Sequence, residues 1–198
     1  DTAGNYDQFV PIENKTHKTI LIAPSWGPEG VIESGLGKTL VEELLNLGHK
    51  VILRPHPQTI KFTRPKIDEI RNKHKGNPSF TFEGSVDGQG SLHQSDIMVS
   101  DWSGAALEYA FALNKLVIFC DVPRKVNNLN YQDIEIEPIE VSIRKEIGVI
   151  WDGLSSVGEL VKHCEQKRKT DSNKLINQYV FNVGRSDDVF FSYISKLK

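Results

Sequence analysis

Thr19 to Ala23, Thr-Ile-Leu-Ile-Ala, is a continuous apolar run closed by Pro24. A run this short, with no polar alternation, reads as a strand buried on both faces of a parallel sheet. The next segments repeat the theme. A loop, Ser25 to Gly37, carries glycines at 27, 30, 35 and 37. Lys38 to Leu47 then places apolar residues at 40, 41, 44, 45 and 47, a helical spacing, and Gly48 can supply the left-handed stop. Lys50 to Arg54 is the second strand, and Pro65 opens a helix running to about Lys75. Strands come next at Phe80 to Phe82, Asp96 to Val99, Leu116 to Cys120 and Val149 to Trp151. Helices are expected over Ala105 to Leu113, Ser155 to Lys169, Ser172 to Phe181 and Asp187 to Leu197. Alternation of this kind predicts an α/β fold, a doubly wound parallel sheet of Rossmann-like type.

Such sheets bind ligands beyond the carboxyl ends of their strands. Two junctions there stand out. Ser100-Asp101-Trp102-Ser103-Gly104 joins a strand to an almost wholly apolar helix. A strand-to-helix turn points free amides and the positive end of the helix dipole outward, which suits phosphate. Ser103 or Asp101 at that turn also reads as an ordinary helix cap, but Gly104 lets a ligand approach the backbone. Glu108 is the sole charge in Ala105 to Leu113, and is either an exposed helix residue or a carboxylate for ribose hydroxyls. The second junction is Arg54-Pro55-His56-Pro57. Prolines on both sides stiffen the turn, and an imidazole there serves as general base or phosphate donor, or makes one plain hydrogen bond.

Bulk properties narrow the class. The 198 residues suffice for one domain with a proper core. A net charge of -2 argues against general nucleic-acid binding. Cys120 and Cys164 lack metal-ligand spacing, and no metal or cofactor is expected. Lys50 to Lys75 is rich in lysine and arginine, which suits an anionic polymer or an anionic membrane surface, or a solvated helix face. Gly35 to Thr39 carries only a weak likeness to the end of a P-loop. Asp121 to Ile147 has no clear periodicity, and its stretch Ile134 to Val141 reads as an edge strand or an extended arm.

Taken together, Ile22-Ala23-Pro24-Ser25-Trp26, Arg54-Pro55-His56-Pro57 and Ser95 to Gly104 resemble the CDP-glycerol glycerophosphotransferase family, the teichoic-acid polymerases and their capsule relatives. Residues 18 to 120 carry the resemblance well, and the rest loosely. Trp102, Gly104 and Glu108 stand where the family has tyrosine, serine and aspartate, so CDP-ribitol or a nucleotide sugar remain open as donors. The resemblance implies the donor-binding, C-terminal half of a GT-B architecture. Residues 1–17 would lead in from a missing N-terminal domain, 18–185 would bind nucleotide, and 186–198 would cross back towards that domain. The only methionine is Met98, so a chain starting at Asp1 is expected to be processed or part of a longer protein. The implied reaction moves a glycerol phosphate or similar unit from a CDP-alcohol to a hydroxyl of an anionic polymer or lipid-linked acceptor. His56 and Asp101 would be catalytic, and Ser25, Arg54, Ser103, Gly104 and Glu108 would bind substrate. The setting would be the cytoplasm, at the inner face of a bacterial membrane. Rival expectations are a GT-B glycosyltransferase or nucleotide-sugar epimerase using a UDP-sugar, and an inactive nucleotide-binding module.

Overall fold

The structure, a computed structural model, describes residues 16–85, 88–126, 128, 130–167 and 172–197. The chain divides into two compact units. The larger, within Ile12–Thr170, holds the sheet. Its elements are β1 (Thr19–Ile22), α1 (Leu36–Asn46), β2 (Lys50–Leu53), α2 (Pro57–Phe62), α3 (Arg64–Lys73), β3 (Phe80–Phe82), α4 (Gly90–Gln94) and β4 (Ile97–Ser100). They continue with α5 (Gly104–Leu113), β5 (Leu116–Cys120), α6 (Ile139–Ser142), α7 (Arg144–Ile147), β6 (Gly148–Trp151) and α8 (Val157–Gln166).

Among the described residues the strands form one six-stranded sheet, ordered β3-β2-β1-β4-β5-β6, with every pair parallel. The apolar runs are buried on both faces, as a covered parallel sheet requires. Ile20, Ile22, Val51, Leu53, Ile97, Val99, Ile118 and Cys120 share one face. Leu40, Val41 and Leu44 of α1, Ile67 and Ile70 of α3, and Leu160, Val161 and Cys164 of α8 pack into the same core. The alternate residues Leu21, Ile52, Met98, Val117 and Phe119 are buried on the opposite face. There α5 lies against β4 and β5 through Ala106, Tyr109 and Ala110. Helices on both faces make the fold doubly wound.

Local chemistry explains the ends. Gly48 follows α1 with φ of 83°, the left-handed conformation expected for it. Ser156 caps α8 by accepting from the Glu159 amide, while its hydroxyl donates to the Glu159 carboxylate at 3.1 Å. Cys120 and Cys164 are buried free thiols, and burial pushes Cys164 up to about 12, so both behave as small core residues.

Two expectations need correction. Asp96 is not the first residue of β4: its carboxylate and amide both bond Thr19, at 2.8 and 2.7 Å, and register the strand instead. Ile134 to Val141 is not an edge strand. Ile134 and Ile136 are exposed, so no face is buried that would select a strand, and the segment ends in α6. The Arg54 to Pro57 turn runs straight into α2.

β6 opens on Gly148, whose backbone is fully extended. A Cβ there would lie 2.2 Å from the Val117 carbonyl oxygen and 2.9 Å from a Phe119 ring carbon. Backbone cannot yield as a side chain does. Gly148→Ala is therefore expected to cost about 3 kcal/mol, the upper end for overpacking a core. Urea unfolding of the variant checks this.

The smaller unit includes α9 (Ser172–Tyr179) and α10 (Ser186–Ser195). Apolar residues spread over much of α10, and Phe190, Phe191 and Tyr193 are 59, 67 and 62% exposed. No helix among the described residues is long and apolar enough to cross a membrane.

Candidate functional site

The strand order reverses between β1 and β4. From β1 the sheet proceeds to β2 and β3, and from β4 to β5 and β6. The loops leaving these two strands diverge, and the crevice between them is where doubly wound sheets hold ligands. Three bonds tie the loops together at its base. Ala23 N donates to the Val99 carbonyl at 2.9 Å, the Ser100 hydroxyl donates to the Ala23 carbonyl at 2.8 Å, and Ser25 N donates to Asp101 Oδ1 at 2.7 Å.

Asp101 is 2% exposed, and its Oδ2 has no hydrogen-bond partner. Burial raises its pKa above the ordinary carboxylate range, against the lowering effect of the bonds from Ser25. So Asp101 cross-links the two loops from below the crevice. Ser25, half-buried, is its partner rather than a separate group.

Above Asp101 the α5 helix begins. Ser103 is the N-cap residue in extended conformation, and its side chain makes no capping bond. Gly104 is exposed, has no positive φ, and a Cβ added there would meet nothing within 4 Å. Neither backbone geometry nor packing within this chain requires a glycine there. Gly104, Glu108 and Ala112 form one exposed stripe along α5. The helix is thus half-exposed, not buried around a lone glutamate, and Glu108 lies one turn beyond Gly104 on the accessible side.

His56 and Arg54 sit one strand over, after β2. His56 is exposed and is the N-cap of α2, its Nδ1 accepting from Gln58 N at 3.1 Å. An imidazole that accepts through Nδ1 carries its proton on Nε2 when neutral. Its remaining ring nitrogen, Nε2, is then a donor. Arg54 is turned inward. Its guanidinium reaches Ser91 Oγ at 3.1 Å and Glu83 at 3.7 Å, tying the turn to α4 and the end of β3.

The structure also brings in residues that sequence reasoning passes over. Thr59 of α2 donates to Glu33 Oε1 at 2.7 Å, docking α2 on the loop after β1. Trp26 and Phe62 face each other with ring centroids 6.0 Å apart. Lys125, in the segment after β5, donates to the Trp26 carbonyl at 2.9 Å and lies 4.6 Å from its ring. These couplings join segments far apart in sequence, so no local spacing signals them. No cluster of metal-ligating side chains occurs among the described residues.

The fold and this crevice define the class: a doubly wound, Rossmann-like α/β domain with its candidate site at the switch point. A scan against protein-family models and a search of the curated proteins find no match to this chain.

Proposed function

We propose that this domain binds a nucleoside diphosphate at the start of α5 and serves as the donor half of a CDP-alcohol phosphotransferase of GT-B architecture. The observation that carries the reading is Gly104. It opens a ten-residue helix at the switch point, and nothing in its own chain accounts for the missing side chain. Amides at the start of α5, added to the helix dipole, favour a diphosphate. Glu108, one exposed turn further on, would accept from ribose hydroxyls. A partner domain across the cleft would bring the acceptor: a hydroxyl of an anionic polymer or lipid-linked chain.

In the proposed reaction the acceptor oxygen forms a bond to the β-phosphorus of the donor. The bond from that phosphorus to the bridging oxygen breaks, and CMP leaves with the electron pair. The acceptor's proton passes to a base. Neither His56 nor Asp101 is placed as that base here, because Nδ1 of one is committed to the helix cap and the other is buried. His56 instead donates through Nε2 to a phosphoryl oxygen, stabilising charge that grows in the transition state. Asp101 is a positioning residue, holding the β1 loop beside α5. Arg54 acts in the same indirect way, through Glu83 and Ser91.

A panel of CDP, CMP, UDP and UMP, read by calorimetry, tests the reading. Preference for the cytidine nucleotides supports it. Preference for UDP points to a sugar-transferring or epimerising relative of the same fold, and binding of none points to a module without donor chemistry.

His56 offers a separate check, in the chain joined to its catalytic partner domain. Asparagine caps helices as well as any residue but lacks the imidazole. His56→Asn is expected to melt with the wild type yet lose roughly 10²-fold or more in turnover, the scale of one lost hydrogen bond to transition-state charge. His56→Ala should lose the same turnover and also about 1 kcal/mol of stability with its cap. Wild-type turnover in the asparagine variant returns His56 to a plain capping role.

A further inference from the structure

The segment between β5 and β6 shows no periodicity, yet it delivers one cation to the interior. Arg144, the first residue of α7, is 3% exposed. Its guanidinium carbon lies 4.0 Å from the centroid of the Trp102 ring and 5.0 Å from that of Phe119. Nη2 donates to the Cys120 carbonyl at 3.1 Å, and Nη1 pairs with the half-exposed carboxylate of Asp121 at 3.6 Å. Nε is buried without a hydrogen-bond partner.

This is an expensive way to fill space. Burial of a guanidinium with one donor unpaired carries a desolvation cost, and an apolar side chain of similar length packs more cheaply. What the arginine does that methionine cannot is hold an indole by its face while bonding a strand end. Trp102 is the middle residue of Ser100–Gly104, between buried Asp101 and the helix start. Its Nε1 donates to the Val122 carbonyl at 3.0 Å, so the ring is fixed at its edge as well as its face. The junction is thus held from two sides: by Asp101 on Ser25 towards β1, and by Arg144 and Val122 on Trp102 towards β5.

We propose that Arg144 is a positioning residue of the phosphate site, fixing Trp102 and through it the backbone at Ser103 and Gly104 on which the diphosphate is received. Arg144 touches no ligand itself. The proposal rests on the nucleotide reading above, and it adds a residue from a part of the chain to which neither composition nor motif assigns a role.

The test compares Arg144→Met and Arg144→Lys with Ile70→Ala, which opens a cavity under α3 at the other end of the sheet order. Melting temperature and CDP affinity are measured for each. Arg144→Met and Ile70→Ala should both melt below the wild type. Only Arg144→Met should bind CDP more weakly, by roughly 10- to 100-fold, the cost of a slightly misplaced binding geometry. Arg144→Lys, which restores the charge and a donor but not the planar stack, should fall between Arg144→Met and the wild type. Equal CDP affinity in Arg144→Met and Ile70→Ala makes the arginine merely structural and overturns the proposal. Should Arg144→Met fail to fold, Arg144→Lys decides: a severalfold loss of affinity supports the role, and wild-type affinity overturns it. Absence of CDP binding in the wild type is a different failure, which removes the nucleotide reading and this proposal with it.

Discussion

Alanine at Asp101 is expected to lower the folding free energy by about 2–3 kcal/mol, because the Ser25 amide loses its buried acceptor. Asparagine at the same position should do no such harm. It keeps an oxygen for Ser25 N and removes a charge that the interior disfavours. The sign of the shift sets the pH dependence. Burial raises the folded pKa of Asp101 above an unfolded value near about 3.9. The folded state therefore binds this proton more tightly than the unfolded state. The associated stability is fully present below the unfolded pKa and is lost as pH rises through the folded one. An asparagine there has no proton to lose. Asp101→Asn is accordingly expected to match the wild type below the unfolded carboxylate pKa and to gain on it as pH rises through the folded one. Urea midpoints at acid and neutral pH read this directly, and a difference that does not change with pH would contradict the buried, raised carboxylate.

The second large effect lies at Gly104 and divides folding from binding. A methyl group there meets nothing, and no positive φ is relieved or strained. Alanine at the first helical position should therefore stabilise the fold slightly, by about 0.5 kcal/mol, through the unfolded chain. The same methyl group would stand where a diphosphate must approach the first amides of α5. CDP affinity is expected to fall at least about tenfold, a loss of about 1.4 kcal/mol in binding. Opposite signs in two assays on one variant are hard to produce by general damage. Unchanged affinity in Gly104→Ala would mean that the glycine is not a ligand approach.

The sheet was legible because its strands are buried on both faces. Thr19 to Ile22, Leu116 to Cys120 and their neighbours are nearly unbroken apolar runs, and that pattern survives without knowing what packs on it. The strand order is less directly readable, since short apolar runs say nothing of which neighbour they take. Short polar helices were not legible. Five-residue α4, Gly-Ser-Leu-His-Gln, has no stripe, and α2 hides behind two prolines that read as a turn.

For the site, position was easier than role. Ser25, Arg54, His56, Asp101, Ser103 and Gly104 lie at or just beyond the carboxyl ends of their strands, and Glu108 lies one turn into α5. Their partners are long-range, and these decide what each can do. Asp101 becomes a cross-link because of Ser25, 76 positions away. Arg54 turns inward because Glu83 and Ser91 wait there. His56 loses a free Nδ1 to Gln58, a local capping bond that the sequence does allow one to foresee. Arg144 lay in the least readable stretch, and only the packed ring of Trp102 shows its use.

A nucleoside diphosphate bound as proposed would seat in the crevice between β1 and β4, on the start of α5. Titration of CDP into the isotopically labelled chain, followed by amide NMR, tests it most directly. Saturable shifts concentrated at Ser25, Ser103, Gly104 and Ala105, with Glu108 following along the same exposed stripe, are the predicted result. Shifts that saturate elsewhere, or no shifts at millimolar CDP, would contradict it.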